Sequence, residues 1–559
     1  MSRYLHPEPL GHSHRHGLSQ GPDDLKRRFD VCVIGSGAAG SVAVDIFTRA
    51  GFHVLLLEEG PRLAPATSNE SLDASSPMAI ARDARGEWGD RGWPWTTRNL
   101  GGGTVYYGGA SFRYLPFDFD PSAHIVVDDL DVRWPISLDE LAPYYDEMER
   151  RLGVSSAAVG PWPRDAAAPK TLSLPAEYLW RGARALDYAP EPTPLAIDRG
   201  LCQNCSLCIC AQCESGAKRD AVSAFLEPIA GCTNLTIRTG ARAVALRQSR
   251  PHEADELLCV DIGTGVEHIV RARLFVLACN AIQSAALLLR STTSLQPAGI
   301  GNQHDLVGRG LSLKASEYSF GEVDCFTEEI RAHPIGYRGP FSTVAVLDRY
   351  LDEDCPTGVG GLMYEAKPDD WRVLDRRRLL LRVETIIADH PSARNRVRLA
   401  PERDQWGVPK IVIDYTPDKR DIARLEYMLG KSAQWLAASG VDKIYREPSN
   451  YMLGSTHLHG TCRAGGDPKT SVLDRNGRIH GMDNVFVVDG SYMPYPGGLN
   501  PTLTIQANAL RMTRLIIAAQ GATVDPLIAS AEDRLRSPDR KKVHTDQRDC
   551  GTIANRGGL

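Results

Sequence analysis

Three groups of residues in the chain could do chemistry. The first is the turn Gly35-Ser36-Gly37-Ala38-Ala39-Gly40. Glycine at Gly35 permits a tight turn, at Gly37 it lets the backbone approach a pyrophosphate, and at Gly40 it lets a helix pack closely on the preceding strand. The helix N-terminus then presents free N–H groups to phosphate oxygens. Glu58 supplies a carboxylate able to accept from ribose hydroxyls. This set fits a dinucleotide without choosing between FAD and NAD, and an acid rather than an arginine at position 58 disfavours NADP. The second group is STHLHGTC, residues 455–462, with His457 and His459. An imidazole titrating near neutral pH suits the task of taking a hydroxyl proton. The third is LCQNCSLCICAQCESGAK, residues 201–218, which sets Cys202, Cys205, Cys208, Cys210 and Cys213 within twelve positions. The spacing fits no standard zinc pattern, since zinc sites bring two separated pairs. It leaves open an iron–sulfur cluster on closely set thiolates and a run of small thiols that only pack.

These groups need elements to position them. FDVCVIGSGAAGSVAVDIFTRAGFHVLLLEEG, residues 29–60, predicts a buried strand over Val31–Ile34, a helix over Ala38–Ala50 and a second buried strand over His53–Leu57. The three glycines then fall at the strand-to-helix junction and Glu58 at the end of the second strand. NLGGGTVYYGGASFR, residues 99–113, carries five glycines. It reads either as a loop or as backbone wrapped against a flat ligand, an approach that glycine permits. Arg273–Ser291 predicts a buried strand, a turn at Asn280 and a helix, and the stretch to Ile516 ends in a strand, Asp489-Gly490, a Pro/Gly loop and a helix.

The totals bound the answer. At 559 residues, with 42% hydrophobic and 24% charged residues, the chain is long enough for two domains or one large interrupted one. A net charge of −5 argues against a nucleic-acid partner. The most apolar run, Leu274–Leu289, is broken by Asn280 and Gln283, so no membrane span is expected. The N-terminus lacks the apolar core of a signal peptide. With thirteen cysteines, an odd count, this points to a reducing cytoplasm and disfavours a disulfide staple. His6, His12, His14 and His16 fall in a flexible arm, residues 1–24, and residues 532–559 read as a tail.

The glycine turn, the Gly-rich loop, the H-x-x-G-T-C block and NPTLTIQA at 500–507 together resemble, in order and spacing, the glucose–methanol–choline (GMC) family of flavoprotein oxidoreductases. More narrowly, GWPWTTRNLGGGTVYYGGASFRYLPFDFD, GTCRAGGDP and PYPGGLNPTLTIQA resemble the family's paromamine 6′-oxidase group, which oxidises a sugar primary alcohol to an aldehyde. The resemblance implies an α/β fold in which a Rossmann-like FAD-binding domain is interwoven with a mixed sheet-plus-helix substrate domain. The first would take residues 25–115, 200–315 and 452–525, and the second residues 116–199 and 316–451. It implies FAD contacts at Gly35, Gly37, Gly40, Glu58, Gly102, Gly103, Thr104, Asp489, Gly490, Asn500, Pro501 and Thr502, and a backbone contact to the adenine at Val244. It assigns the base to His457, leaves His459 structural, and gives Asn500 the task of donating to the substrate oxygen. Tyr106 stands where some relatives link FAD through a histidine, so the flavin is expected to be noncovalent. Tyr107 stands where others have asparagine.

Flavin sugar dehydrogenases similar to this family carry a three-iron cluster on three cysteines before a G-A pair. Cys202, Cys208 and Cys213, ahead of Gly216-Ala217, have similar spacing and are the candidate ligands of a [3Fe–4S] cluster. The expected reaction is oxidation of an aminoglycoside or sugar primary alcohol, with oxygen or another electron acceptor. The alternative is a dehydrogenase passing electrons through iron–sulfur. A flavin-binding protein without turnover is disfavoured by His457 and Asn500. A polyamine sugar would favour an acidic pocket, for which VVDDLD (126–131) and LDEDC (351–355) offer carboxylates.

Overall fold

A computed structural model of the chain describes residues 25–63, 79–82, 88–89, 96–127, 129–154, 172–209, 212–325, 329, 332–335, 338–367, 378–447 and 457–522. The expected arm, the expected tail and Cys210 lie outside these residues. The first strand runs over Arg28–Ile34, the helix over Ala38–Arg49 and the second strand over Val54–Leu57. The second strand is buried along its whole length, as its unbroken VLLL run requires of a strand covered on both faces. Gly40 is needed for the helix to sit where it does, because a Cβ there would lie 1.9 Å from the Gly35 carbonyl oxygen.

These strands belong to a seven-stranded sheet. Arg28–Ile34 pairs in parallel with Val54–Leu57 on one side and Glu267–Leu277 on the other. Leu235–Arg238 extends the sheet in parallel beyond Val54–Leu57. Glu267–Leu277 also starts an antiparallel meander with Glu256–Asp261 and Ala241–Arg247, and pairs in parallel with Val485–Val487. The registers Ile34↔Leu57, Ile34↔Leu277 and Val487↔Leu277 bring four strand ends into one row. Parallel sheets bind ligands at such carboxyl ends. The predicted turn at Asn280 is real: its φ is 71°, and the helix Asn280–Arg290 starts there.

A second sheet of six antiparallel strands takes Ala315–Asp324 and Arg378–Ile387 as its long pair, flanked by Leu362–Glu365. Helices Leu174–Ala185 and Lys419–Ala438 share an apolar core with it, and Trp435 Nε1 donates to the Leu179 carbonyl at 2.7 Å. The strands of the two sheets alternate along the chain, giving a mixed α/β fold. A smaller four-stranded sheet includes Arg396–Arg403 and Pro409–Asp414.

Candidate active site

One cavity of ≈ 680 Å³ is lined by the row of strand ends and by residues of the six-stranded sheet. At one end stands the glycine turn, with Gly35 at φ +96°. Ser36 ties that turn to the second strand, its N–H and hydroxyl donating to Glu58 Oε2 at 3.1 and 2.6 Å. Gly60 N–H donates to Oε1 at 2.9 Å. Burial pushes the Glu58 carboxyl up despite these donors, so its surroundings cost the carboxylate more solvation than they return. The Ser36 hydroxyl also accepts from Gly101 N–H at 2.9 Å, which draws the Gly-rich loop over the turn. Gly102 then lies against Gly37: a Cβ on Gly102 would meet the Gly37 Cα at 3.0 Å. A Cβ on Gly37 or Gly103 would meet no protein atom within 4 Å. Thr104 is buried and pins the loop, donating to Gly101 O at 2.6 Å and accepting from Ala221 N–H at 2.9 Å. Across the cavity, Asp489 accepts from the Ser284 hydroxyl at 2.6 Å and Ser491 N–H at 2.9 Å, fixing the backbone at Gly490.

Gly35, Gly37, Glu58, Gly102, Gly103, Thr104, Asp489, Gly490, Asn500, Pro501 and Thr502 all line this one cavity. Gly40 acts from behind, as the helix contact described above. Near Val244, where the resemblance implies a backbone contact to the adenine, Ala241, Arg242 and Ala243 line the wall, and Val244 itself sits where the ladder shifts between Ala243 and Ala245. An elongated cavity with glycine faces beside a helix N-terminus and an acid at the second strand end fits FAD.

His457 and Asn500 line the same cavity. Burial, and then the charge of Lys314, push the His457 imidazole well below its ordinary value, so it is neutral at pH 7. His459 is structural. Its backbone pairs with Ser312 and its Nδ1 lies 3.1 Å from the His457 carbonyl oxygen. Asn500 follows a loop held by buried polar groups. Lys314 Nζ donates to the Leu499 carbonyl and, at 3.2 Å, to the Tyr114 hydroxyl. Gly498 N–H donates to the Tyr350 hydroxyl at 2.7 Å, which donates to Asp118 at 2.5 Å. The Asn500 amide hydrogen-bonds the Tyr364 hydroxyl, which donates to Glu384 Oε2 at 2.7 Å. The amide N–H is thus turned toward Tyr364, and Oδ1 has no hydrogen-bond partner among the described residues.

The Cys loop borders this site. Lys218 is buried, donates to the carbonyls of Val105 (2.6 Å) and Cys208, and lies 5.9 Å from the centre of the Tyr107 ring. Tyr107 donates to the Arg219 carbonyl at 2.6 Å. Cys202, Cys208 and Cys213 all pack against Leu195, Ile197 and Ala217, and all are free thiols. Even so, among the described residues no three His, Cys, Asp or Glu side chains are grouped as a metal ion requires. The thiols are also unlike one another. Burial pushes Cys208 up to about 11, whereas Cys213 is lowered because N–H donors, the Ser215 hydroxyl and Lys218 outweigh its burial. The described structure therefore gives no support to the expected ligand trio, and it shows Cys202, Cys208 and Cys213 packed on one small apolar cluster.

The described residues of the expected acidic segments do not line the cavity. Asp131 pairs with Arg133, and Asp352 pairs with Arg349 and accepts from Tyr427. Glu317, Glu384 and Glu447 line it instead, and sequence reading missed all three, along with Lys314 and Tyr364. The available signal was a lone acid inside an apolar strand, Glu384 in RLLLRVETII. No helix of the described residues is long and apolar enough to cross a membrane.

Family models described as GMC oxidoreductase match residues 29–316 and 391–509. The chain is 55% identical to paromamine 6′-oxidase of Streptomyces fradiae over 517 residues, covering 91% of this chain and 95% of the relative. It is 53% identical to 6‴-hydroxyparomomycin C oxidase of Streptomyces lividus over 521 residues, with the same coverage of 91% and 95%. Among solved structures, pyridoxine 4-oxidase from Mesorbium loti shares the fold with a TM-score of 0.60 at 20% identity, covering 87% of this chain and 98% of that one. A dinucleotide cradle and a neutral histidine facing one cavity are what these similarities call for, and the chain belongs to the GMC oxidoreductases, a family of FAD-binding enzymes.

Proposed function

We propose that this enzyme oxidises the primary alcohol of an aminoglycoside-type pseudosaccharide, such as paromamine, to the aldehyde, with oxygen as the acceptor of electrons. FAD would be held noncovalently by Gly35, Gly37, Glu58, Gly102, Gly103, Thr104, Asp489 and Gly490, with the wall at Ala241–Ala243 beside the adenine. When bound, FAD accepts a hydride from the alcohol carbon. The chain's own residues do the rest. His457 takes the hydroxyl proton, a task for which a neutral imidazole in a water-poor cavity is suited. Asn500 orients the hydroxyl by donating its second amide hydrogen to the oxygen, which leaves the hydroxyl proton to His457. The loop under Asn500 resists displacement because each of its ties is a buried hydrogen bond, costly to leave unmade.

The observation that carries this reading is the convergence of His457 and Asn500 on the cavity that also holds the glycine turn and Glu58. The substrate class is supported by the relatives' printed activities on paromamine and 6‴-hydroxyparomomycin C. The test is anaerobic titration of the FAD-loaded enzyme with paromamine, followed by admission of oxygen. Bleaching of the flavin bands by stoichiometric paromamine and their return with oxygen are expected. A flavin left oxidised by paromamine would overturn the substrate assignment, and a bleached flavin that oxygen does not restore would overturn the acceptor.

A further inference from the structure

The part of the cavity lining that comes from the six-stranded sheet and its flanks has a chemistry that alcohol oxidation alone does not require. Glu384 and Glu447 contribute to it, together with Tyr318, Tyr364 and Phe341, and no lysine or arginine of these strands lines the cavity among the described residues. Cross-strand register puts Glu384 at the centre, since it lies directly opposite Tyr318 on one neighbouring strand and Tyr364 on the other. Directly opposite residues project from the same face of a sheet. The Glu384 carboxylate is held there by the hydroxyls of Tyr364, Ser316 and Tyr318. Arg382 is the nearby cation: its guanidinium stacks 3.8 Å from the Tyr318 ring centre, donates to Glu447 at 2.5 Å, and favours the Glu384 carboxylate through its charge.

We infer that this wall is an ammonium subsite, in which Glu384, the Tyr364 ring and Asn500 Oδ1 receive a protonated amino group of the sugar that presents its alcohol to His457. The inference rests on the proposed alcohol oxidation and names the feature that selects among its substrates. Two independent observations point to a cationic ligand. One is a buried carboxylate beside the Tyr364 ring, a combination that attracts an ammonium by charge and by the ring quadrupole. The other is Asn500 Oδ1, on a side chain only 8% exposed, lining the same wall with no hydrogen-bond partner among the described residues. An ammonium carries three donors and no acceptor, so it matches acceptors alone. Burial raises the Glu384 carboxyl, and an arriving cation would relieve that cost. Glu447 also lines the cavity, with its side chain 45% exposed and paired with Arg382, so it contributes to the long-range field rather than holding the ammonium.

The experiment uses the FAD-loaded full chain and two probes that cannot be oxidised. One is a 2-amino-2,6-dideoxyhexoside and the other is its 2-hydroxy counterpart, both lacking the 6-hydroxyl. Binding is read from perturbation of the flavin absorbance. Wild type should bind the amino probe at least ~10-fold more tightly than the hydroxy probe, a difference of about 1.4 kcal/mol. Glu384→Gln keeps the side-chain shape and should bring the two affinities within about twofold, chiefly by weakening the amino probe. Glu447→Gln, at an accessible site, should lower the preference only partly and chiefly at low ionic strength. Equal affinities in wild type, or a preference retained in Glu384→Gln, would overturn the subsite. So would failure of wild type to bind the amino probe. Should Glu384→Gln not fold, the Glu447→Gln preference and its salt dependence decide, and a preference insensitive to both sinks the inference. Failure of the alcohol oxidation is a separate result: selective binding of the amino probe with no flavin reduction by the corresponding 6-alcohol.

Discussion

Gly37 and Gly40 are three residues apart in one motif, yet replacing each with alanine should have opposite consequences. At Gly40 the new methyl would lie 1.9 Å from the Gly35 carbonyl oxygen and 3.1 Å from the Ala278 Cβ. Ordinary contact with carbon needs about 3.5 Å, so the helix must move more than an ångström from its own turn. Overpacking of this kind costs ~1–3 kcal/mol, and the upper end applies because the obstacle is backbone. Alanine's better helix propensity returns at most ~1 kcal/mol. A net loss of about 2 kcal/mol follows, in protein with or without FAD. At Gly37 the backbone is extended, with φ −69°, and the methyl would meet no protein atom within 4 Å. Its intrinsic cost is the poorer N-cap, up to ~1 kcal/mol. The methyl instead stands where the pyrophosphate must approach, so the FAD dissociation constant should rise at least ~10-fold. Thermal denaturation of the FAD-free variants, with FAD titration followed by flavin fluorescence quenching, separates the two. Gly40→Ala with the melting temperature of wild type, or Gly37→Ala with undiminished FAD affinity, would refute the reasoning.

His457→Ala should slow flavin reduction by substrate ~10²- to 10⁴-fold while FAD stays bound, as stopped-flow absorbance would record; near-normal reduction would exclude His457 as the base. In wild type the acid limb of the pH profile for reduction should lie below pH 6.5, because burial and Lys314 depress the His457 imidazole and protonation removes the base. Burial lowers the Lys314 ammonium to about 7, so it is charged across that acid range. Lys314→Met should therefore move the limb upward in pH, and a limb that stays put or moves down would contradict the coupling. Acid precipitation should release FAD into the supernatant, since Tyr106 offers no histidine nitrogen to bond it; a yellow pellet would show a covalent link. Iron in the purified enzyme should fall well short of one atom per chain, and three atoms per chain would restore the iron–sulfur assignment.

The sequence by itself determined the parts of this site that depend on local spacing. A strand, a glycine turn, a helix and a second strand ending in Glu58 are consecutive, so backbone geometry alone brings them together, with boundaries that differ by only a few residues from the predicted ones. The H-x-x-G-T-C block and the final loop were likewise legible, because His457 and Asn500 are fixed by short-range motifs. What the tertiary structure decided lies across strands that are distant along the chain. Glu384 meets Tyr364 and Tyr318 only through the register of an antiparallel sheet, and a one-residue slip would turn all three to the other face. Lys314 supports Asn500 from just ahead of a strand nearly two hundred residues earlier, and no local pattern marks a buried lysine as a loop anchor. The register shift between Ala243 and Ala245, beside Val244, is likewise a feature that composition does not announce. For the cysteines, spacing placed three thiols on one apolar cluster, but whether they converge depends on side-chain direction. That direction is set by what packs around the loop, including the Lys218 ammonium bound to the Val105 and Cys208 carbonyls. Proximity in sequence fixes which groups are near one another, and only the packed fold fixes where they point.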